Sequence, residues 1–469
     1  MAAFGPSALA EKPSMIETQN VHELALPPLI DVEKLRFPVI RKVLPNGLTV
    51  LIHVDHSVPT ISYHTWFRVG SKYEETGFTG IAHLFEHMMF KGAKRYTASQ
   101  FENLMQANGI TDNAFTTYDY TGYYEDLPSS KLRLVMDIES DRMENLALTP
   151  ENLKSEREVV KEERRWRVDN SIPGSMNETL WSTAFKVSPY HWPVVGWMTD
   201  IDNITLEKCK QFFHTYYSVS NAVIAIVGDV EPKEALNLVE EFYGKLPKVD
   251  IPKRNLPEEP PQEQAREVTI QRVAQSAHDE IAWHIGKQGE PDSYVMDLIS
   301  NILTEGDSSR LYKKLVYQDQ KTLDVGGASV TPQDPGLFEI SLELKPGVKP
   351  EAELPHLYSE VERLSKEKVP HEELEKAKNQ MMYHWVQGMR RIHDKAYGLI
   401  LNEIVTGSYA NLFDDLDRYQ KITADDILRV AQKYLTKDNR TIVELLPQAP
   451  EKPGKHDEKQ VKKSGEGWT

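Results

Sequence analysis

The sequence predicts an α+β protein of two homologous domains, each a mainly antiparallel sheet with helices packed on one face. Short β-branched strands and hairpin signals alternate with amphipathic helical segments. A stretch with Pro247, Pro252, Pro257, Pro260 and Pro261 interleaved with charges reads as an extended linker between halves of similar length. The pattern Ile204-Thr205, Tyr216, Asn221 recurs 218 residues later as Ile422-Thr423, Tyr434, Asn439. Both copies read as a helix cap, about ten helical residues, a turn and an apolar strand, over residues 223–227 or 441–446. The expected divisions are a flexible tail over 1–36, one domain over 37–246, the linker over 247–265, the second domain over 266–450, and a charged tail over 451–469.

The first domain opens with a hairpin. Residues 39–44 and 48–53 flank Pro45-Asn46-Gly47, and Asn-Gly supplies the positive φ angles of a tight turn. Ile61, Tyr63, Thr65, Phe67 and Val69 then alternate along a strand. A helix is expected from near Thr79 to a glycine stop at Gly92, followed by helices over about 97–108, 129–145 and 150–168.

The chain has 469 residues, with 55 Lys+Arg against 71 Asp+Glu and a formal charge of −16. Such a surplus excludes nucleic acid as the expected partner, because that affinity comes from basic contacts to phosphate. Cys209 is the single cysteine, so no internal disulfide is expected, and it reads as a small apolar residue of a helix. No apolar run is long enough to predict a membrane span. Ala8-Leu9-Ala10 has the A-x-A spacing of a signal-peptidase site without an apolar segment before it, leaving cytoplasmic and periplasmic placement open.

The chemistry concentrates in His83-Leu84-Phe85-Glu86-His87. On a helix, His83 and His87 at i and i+4 project to one side with Glu86 beside them, so both imidazoles can reach one ion. Leu84, Phe85, Met88 and Met89 cover the rest of the helix, and buried imidazoles and carboxylates are costly unless paired or metal-bound. A structural histidine pair is the plain alternative. Two histidines are too few for a catalytic zinc, which takes three protein ligands. The helix ENLKSEREVVKEERRW offers Glu156 and Glu163, seven apart on one face, with Val159 and Val160 on or near the buried side and Glu158 and Glu162 in solvent. His53, His56, His64, His191 and His284 lack ligand spacing and read as structural or surface residues. H-x-x-E-H reverses H-E-x-x-H, and in this inverzincin pattern the glutamate is the general base.

Further matches accompany the pentapeptide: Phe90-Lys91-Gly92, Val69-Gly70-Ser71, Glu163 at 76 residues after His87, Pro193-Val194-Val195-Gly196, and Tyr217, Asn221 and Gly228-Asp229. With these, the sequence from about residue 43 to 447 resembles the pitrilysin/insulinase family of zinc metallopeptidases. It is nearest to the short members, such as mitochondrial processing peptidase and its bacterial two-subunit relatives. The resemblance implies half of a metallopeptidase clamshell, with one Zn2+ per chain held by His83, His87 and Glu163. It also implies Glu86 as general base, Glu156 as a supporting carboxylate, and Asn113-Ala114-Phe115-Thr116 as an edge strand to which peptide substrate adds.

The second half resembles the family's metal-free domain. Aligning Gly306 with Gly92 puts Asp297, Ser300 and Asn301 opposite His83, Glu86 and His87. Family domains of this kind often carry an Arg and a Tyr, seven residues apart, that stabilise the developing oxyanion. Here Ser308-Ser309-Arg310-Leu311-Tyr312 matches the segment before that pair, and an ungapped continuation places Val316 and Leu323 at its two positions. Arg310 and Tyr312 read as structural. The resemblance therefore implies a zinc endopeptidase acting on unfolded peptides, as the catalytic subunit of a heteromer whose homologous partner brings the Arg/Tyr pair. The alternative is a catalytically silent scaffold or peptide-binding subunit.

Overall fold

Asn46-Gly47 turns the chain back with Gly47 at φ +98°, pairing β1 (Ile40–Val43) with β2 (Thr49–Val54) in an antiparallel hairpin. The computed structural model describes residues 32–253 and 255–448. The Ala8-Leu9-Ala10 motif, nearly all of the expected N-terminal tail and the whole 451–469 tail lie outside the described residues. Val32–Leu35 form a single 3-10 turn.

Strands β3 (Thr60–Phe67), β4 (Thr111–Thr116), β5 (Thr121–Pro128) and β6 (Ala222–Gly228) complete a six-stranded sheet in the order β1-β2-β6-β3-β5-β4. A second sheet, in the order β7-β11-β8-β10-β9, contains β7 (Arg266–Val273), β8 (His278–His284), β9 (Thr322–Val330), β10 (Leu337–Leu344) and β11 (Arg440–Gln448). The helices of the first half are α1 (Ile81–Met88), α2 (Ala98–Ala107), α3 (Leu132–Asn145), α4 (Pro150–Arg164), α5 (Ile172–Ala184), α6 (Met198–Asn203), α7 (Leu206–Tyr216) and α8 (Pro232–Tyr243). Those of the second are α9 (Pro291–Thr304), α10 (Leu354–Lys366), α11 (His371–Gly388), α12 (Ile392–Val405), α13 (Asn411–Lys421) and α14 (Ala424–Tyr434).

Among the described residues only β2 with β6 and β7 with β11 pair in parallel, so both sheets are mainly antiparallel. Without β1, the two strand orders are the same. The repeated residues also do the same work in each copy. Thr205 and Thr423 cap α7 and α14 through their hydroxyls. Asn221 Nδ2 donates to the Tyr216 carbonyl at 2.9 Å, and Asn439 Nδ2 to the Tyr434 carbonyl at 2.8 Å. Cys209 is buried in α7.

Each sheet packs its own helices on one face. Ile52, Tyr63 and Ile224 meet Leu84, Val135 and Val239 of α1, α3 and α8, while Ile281 and Ile340 meet Ile299, Leu357 and Ile427 of α9, α10 and α14. The opposite faces are covered by exchange. Ala396, Leu399 and Ile400 of α12 seal Leu51, Trp66, Val223 and Val227 of the first sheet. Met176, Leu180 and Trp181 of α5 seal Ala282, Leu337, Val443 and Leu445 of the second. The alternation in β3 therefore understates its burial, since residues on both of its faces are covered.

Two local expectations change. Helix α1 starts at Ile81 behind a left-handed Gly80 and ends at Met88, short of the expected stop at Gly92. Val159 is 45% exposed and only Val160 turns inward. The linker forms no helix or strand among its described residues. It is tied down where the Glu259 carboxylate accepts from the backbone N–H groups of Lys186, Val187 and Ser188.

The α5 interface contains two carboxylates. Trp181 Nε1 donates to Glu339 Oε1 at 2.6 Å, and Glu280 lies on the same sheet face. Burial pushes Glu339 up to about 7; burial and the neighbouring Glu339 push Glu280 up to about 8. A group whose folded value is raised contributes stability at low pH and loses it as pH rises through that value. Thermal stability should therefore fall between pH 5.5 and pH 8.5, by on the order of a few kcal/mol. Glu339→Gln should flatten the dependence, and melting curves at the two pH values check this.

Candidate active site

Helix α1 starts without a side chain of its own at the cap. The Glu74 carboxylate substitutes, accepting from the N–H groups of Gly80 and Ala82 at 2.8 Å each, where a negative charge suits the helix N-terminus. Gly80 and Gly196 are required by close approach: a Cβ on Gly196 would lie 2.4 Å from the Thr79 carbonyl oxygen, and one on Gly80 2.6 Å from that of Val195. Pro193-Val194-Val195-Gly196 is thus a seat for the start of α1. Asp200 accepts from the Thr79 hydroxyl, and Arg164 donates to the Gly196 carbonyl. Phe85 packs against Phe212, Phe213 and Tyr217. With this apolar side fixed, the polar stripe of α1 faces α4 through His83 and His87 and β4 through Glu86.

The stripe meets Glu163 and Glu156. Glu163 Oε2 lies 3.1 Å from His87 Nε2 and 3.5 Å from His83 Nε2. One ligand atom from each of His83, His87 and Glu163 falls within 4.8 Å of the others. Glu156 takes the far side of His87, with Oε2 3.7 Å from Nδ1, and pairs with Lys91 Nζ at 2.7 Å. Arg167 Nη1 holds the other Glu163 oxygen at 2.9 Å.

The electrostatics fit a divalent cation. Burial, with His87 alongside, holds His83 down to about 4, so it is a neutral nitrogen donor at pH 7. Its Nδ1 is buried without a hydrogen-bond partner among the described residues. Burial also opposes charge on His87, but bonds to Glu156 and Glu163 outweigh it and raise His87 to about 9. The cluster thus gathers a proton where a cation would satisfy the same carboxylates. Two imidazoles and one carboxylate are the donor types that would hold a catalytic zinc.

Glu86 stands beside this triad. Burial raises its pKa, opposed by the Thr116 hydroxyl, which donates to Oε2 at 2.8 Å. Thr116 ends β4, the outermost strand of the first sheet, paired among the described residues only with β5. Asn113, Ala114, Phe115 and Thr116 therefore lie on an open sheet edge that packs beside α1.

Sequence reasoning missed Glu74, Arg167 and the Thr116–Glu86 bond. Arg167 was legible as an i,i+4 partner of Glu163. The other two join segments that only the fold brings together. Among the described residues a second group, Asp319, Glu353 and His356, also has ligand atoms within 4.8 Å of one another. Lys314 pairs with Asp319 at 2.9 Å and Lys321 with Glu353 at 3.1 Å. Both carboxylates are already balanced, so this group is an ion network.

Two helix-borne imidazoles, a carboxylate from a second helix and an adjacent unligated glutamate, beside an open strand edge, define the class of metal-dependent peptidases. Residues 49–196 match the family model for insulinase (peptidase family M16), and residues 203–381 match that for the peptidase M16 inactive domain. The zinc protease PqqE of Helicobacter pylori is 30% identical over 411 residues, covering 86% of this chain and 92% of that protein. A probable mitochondrial-processing peptidase subunit beta of Arabidopsis thaliana is 30% identical over 203 residues, covering 43% of this chain and 38% of that one. The crystal structure of a protease from Helicobacter pylori superposes with a TM-score of 0.84 at 29% identity, covering 88% of this chain and 100% of that one. The chain belongs to the insulinase/pitrilysin family, peptidase family M16, and is a zinc protease of that family.

Proposed function

We propose that this chain is a zinc-dependent endopeptidase that cleaves unfolded peptides or oligopeptides, acting as the metal-bearing subunit of a heteromer. The convergence of His83, His87 and Glu163, with Glu86 beside them, carries the reading. Those three residues would hold the Zn2+, and Glu156 orients His87 from behind. When bound, the ion supplies Lewis-acid polarisation of the scissile carbonyl and acidifies water. Glu86 takes the proton of the attacking water and returns it to the leaving amine nitrogen. The open edge of β4 binds substrate main chain by strand addition, which accepts many sequences provided the peptide is extended.

The second half supports the need for a partner. In the alignment of Gly306 with Gly92, Asp297, Ser300 and Asn301 fall opposite His83, Glu86 and His87. Arg310 is engaged by Glu373 at 2.9 and 2.5 Å, and Tyr312 packs against the second-half core. Arg310 is therefore committed to Glu373, and the side chains of Val316 and Leu323 offer no hydrogen-bond donor. A homologous Arg/Tyr-bearing chain completes the site in this reading.

Metal removal tests the zinc assignment. Chelation should abolish peptide hydrolysis and zinc should restore it. Glu163→Gln should weaken zinc binding by more than the ~10–100-fold typical of losing an outer partner. A Glu163→Gln chain that retains one zinc and full activity would sink the ligand assignment.

A further inference from the structure

Thr116 joins two parts of the site that the proposed function treats separately. It closes the open strand β4, and its hydroxyl donates to Glu86 Oε2 at 2.8 Å. We propose that Thr116 is the positioning residue for Glu86, aiming the base through its hydroxyl and linking that aim to the strand that receives the peptide. This inference rests on the reading of Glu86 as the base.

A freely rotating carboxylate would present its oxygens in many directions, and a directional bond to one of them restricts the other. Charge-assisted bonds of this kind are short and strong. Thr116 is suited to the task because its own backbone is fixed from both sides. Before it, β4 is registered on β5, with Thr116 opposite Thr121. After it, the Thr117 hydroxyl accepts from the N–H groups of Asp119 and Tyr120, and the Thr117 N–H donates to the Tyr120 carbonyl.

That turn is then clamped from outside. Ser71 N–H donates to the Thr117 carbonyl and Lys72 N–H to the Tyr118 carbonyl, each at 3.0 Å. The approach is close enough that a Cβ on Gly70 would lie 2.3 Å from the Thr117 oxygen. This gives Val69-Gly70-Ser71 a physical purpose. The buried Lys72 Nζ binds Asp119 at 2.8 Å, and also Asp334 at 3.0 Å and Gln333 Oε1 at 2.9 Å from the second half. The metal-free half thereby helps to hold the residue that aims the base.

Thr116→Val removes the hydroxyl and keeps the shape and β-branching, while Thr116→Ser keeps the hydroxyl. Both should be measured in the holoenzyme purified from its native source, beside Glu86→Gln. Thr116→Val should lower kcat by about 10- to 100-fold, the range expected for a hydrogen bond to a charged group. KM, zinc content and melting temperature should stay near wild type, and Thr116→Ser should recover most of the rate. If Thr116→Val fails to fold, Thr116→Ala makes the same deletion. A hydroxyl-less variant with wild-type kcat overturns the proposal, as does a loss that falls on KM or that serine shares equally. Full activity in Glu86→Gln would instead overturn the assignment of the base on which the proposal rests.

Discussion

Glu86→Gln should keep its zinc and its fold yet lose about 10²–10⁴ of peptide hydrolysis, the range expected for removing a general acid–base group. The amide has the size of the carboxylate and retains an oxygen for the Thr116 hydroxyl, so local packing is preserved. It cannot take a proton from water and hand it to the leaving amine. His83, His87 and Glu163 are untouched, so metal content should be unchanged. Zinc analysis and steady-state kinetics on an unstructured peptide separate these quantities. Equal activity in wild type and variant would remove Glu86 from the mechanism. Absence of hydrolysis in the zinc-loaded wild-type holoenzyme would leave only the scaffold reading.

Adding a homologous chain that carries the Arg/Tyr pair should raise the rate of this chain by about 10²–10³, the value of preorganised oxyanion donors. The expectation follows from what the second half offers. Arg310 is bound by Glu373, and the aligned positions hold Val316 and Leu323. The effect should appear mainly in kcat, because the donors act where charge develops in the transition state. A partner whose Arg and Tyr are replaced should bind without stimulating. Full activity of the chain alone, with no response to the partner, would overturn the heteromer.

What the sequence made legible follows from how local each signal is. The α1 residues His83, Glu86 and His87 lie within five positions, where helical spacing alone fixes their common side. Glu156 and Glu163 were found together because seven residues make two turns, although spacing alone did not choose the ligand. Val159 was misplaced because the inward stripe of α4 is narrow, running through Leu153, Glu156, Val160 and Arg164, and Val159 falls outside it. Glu74, the Thr116 bond and Lys72 were hidden for another reason. Their partners lie on other elements, and nothing in the local pattern announces a carboxylate six residues before a helix as its cap. The duplication was visible in four residues because capping and turn chemistry tolerate few substitutes. The exchange of α5 and α12 was not, since amphipathic periodicity says that a helix has an apolar face without saying whose sheet it covers.

That exchange sets a schedule for biosynthesis. Strands β3 and β6 are made early, but the residues that cover Trp66, Val223 and Val227 belong to α12 and emerge near the end of translation. Conversely, Trp181 and Leu180 of α5 have no sheet to rest on until β8 and β11 exist. During synthesis the first half therefore carries two uncovered apolar faces, one on its sheet and one on its own helix. Such surfaces make nascent chains prone to aggregate and delay completion until long-range contacts form. The two halves are interlocked translation products, and a ribosome that stops at the linker releases a sheet without its lid.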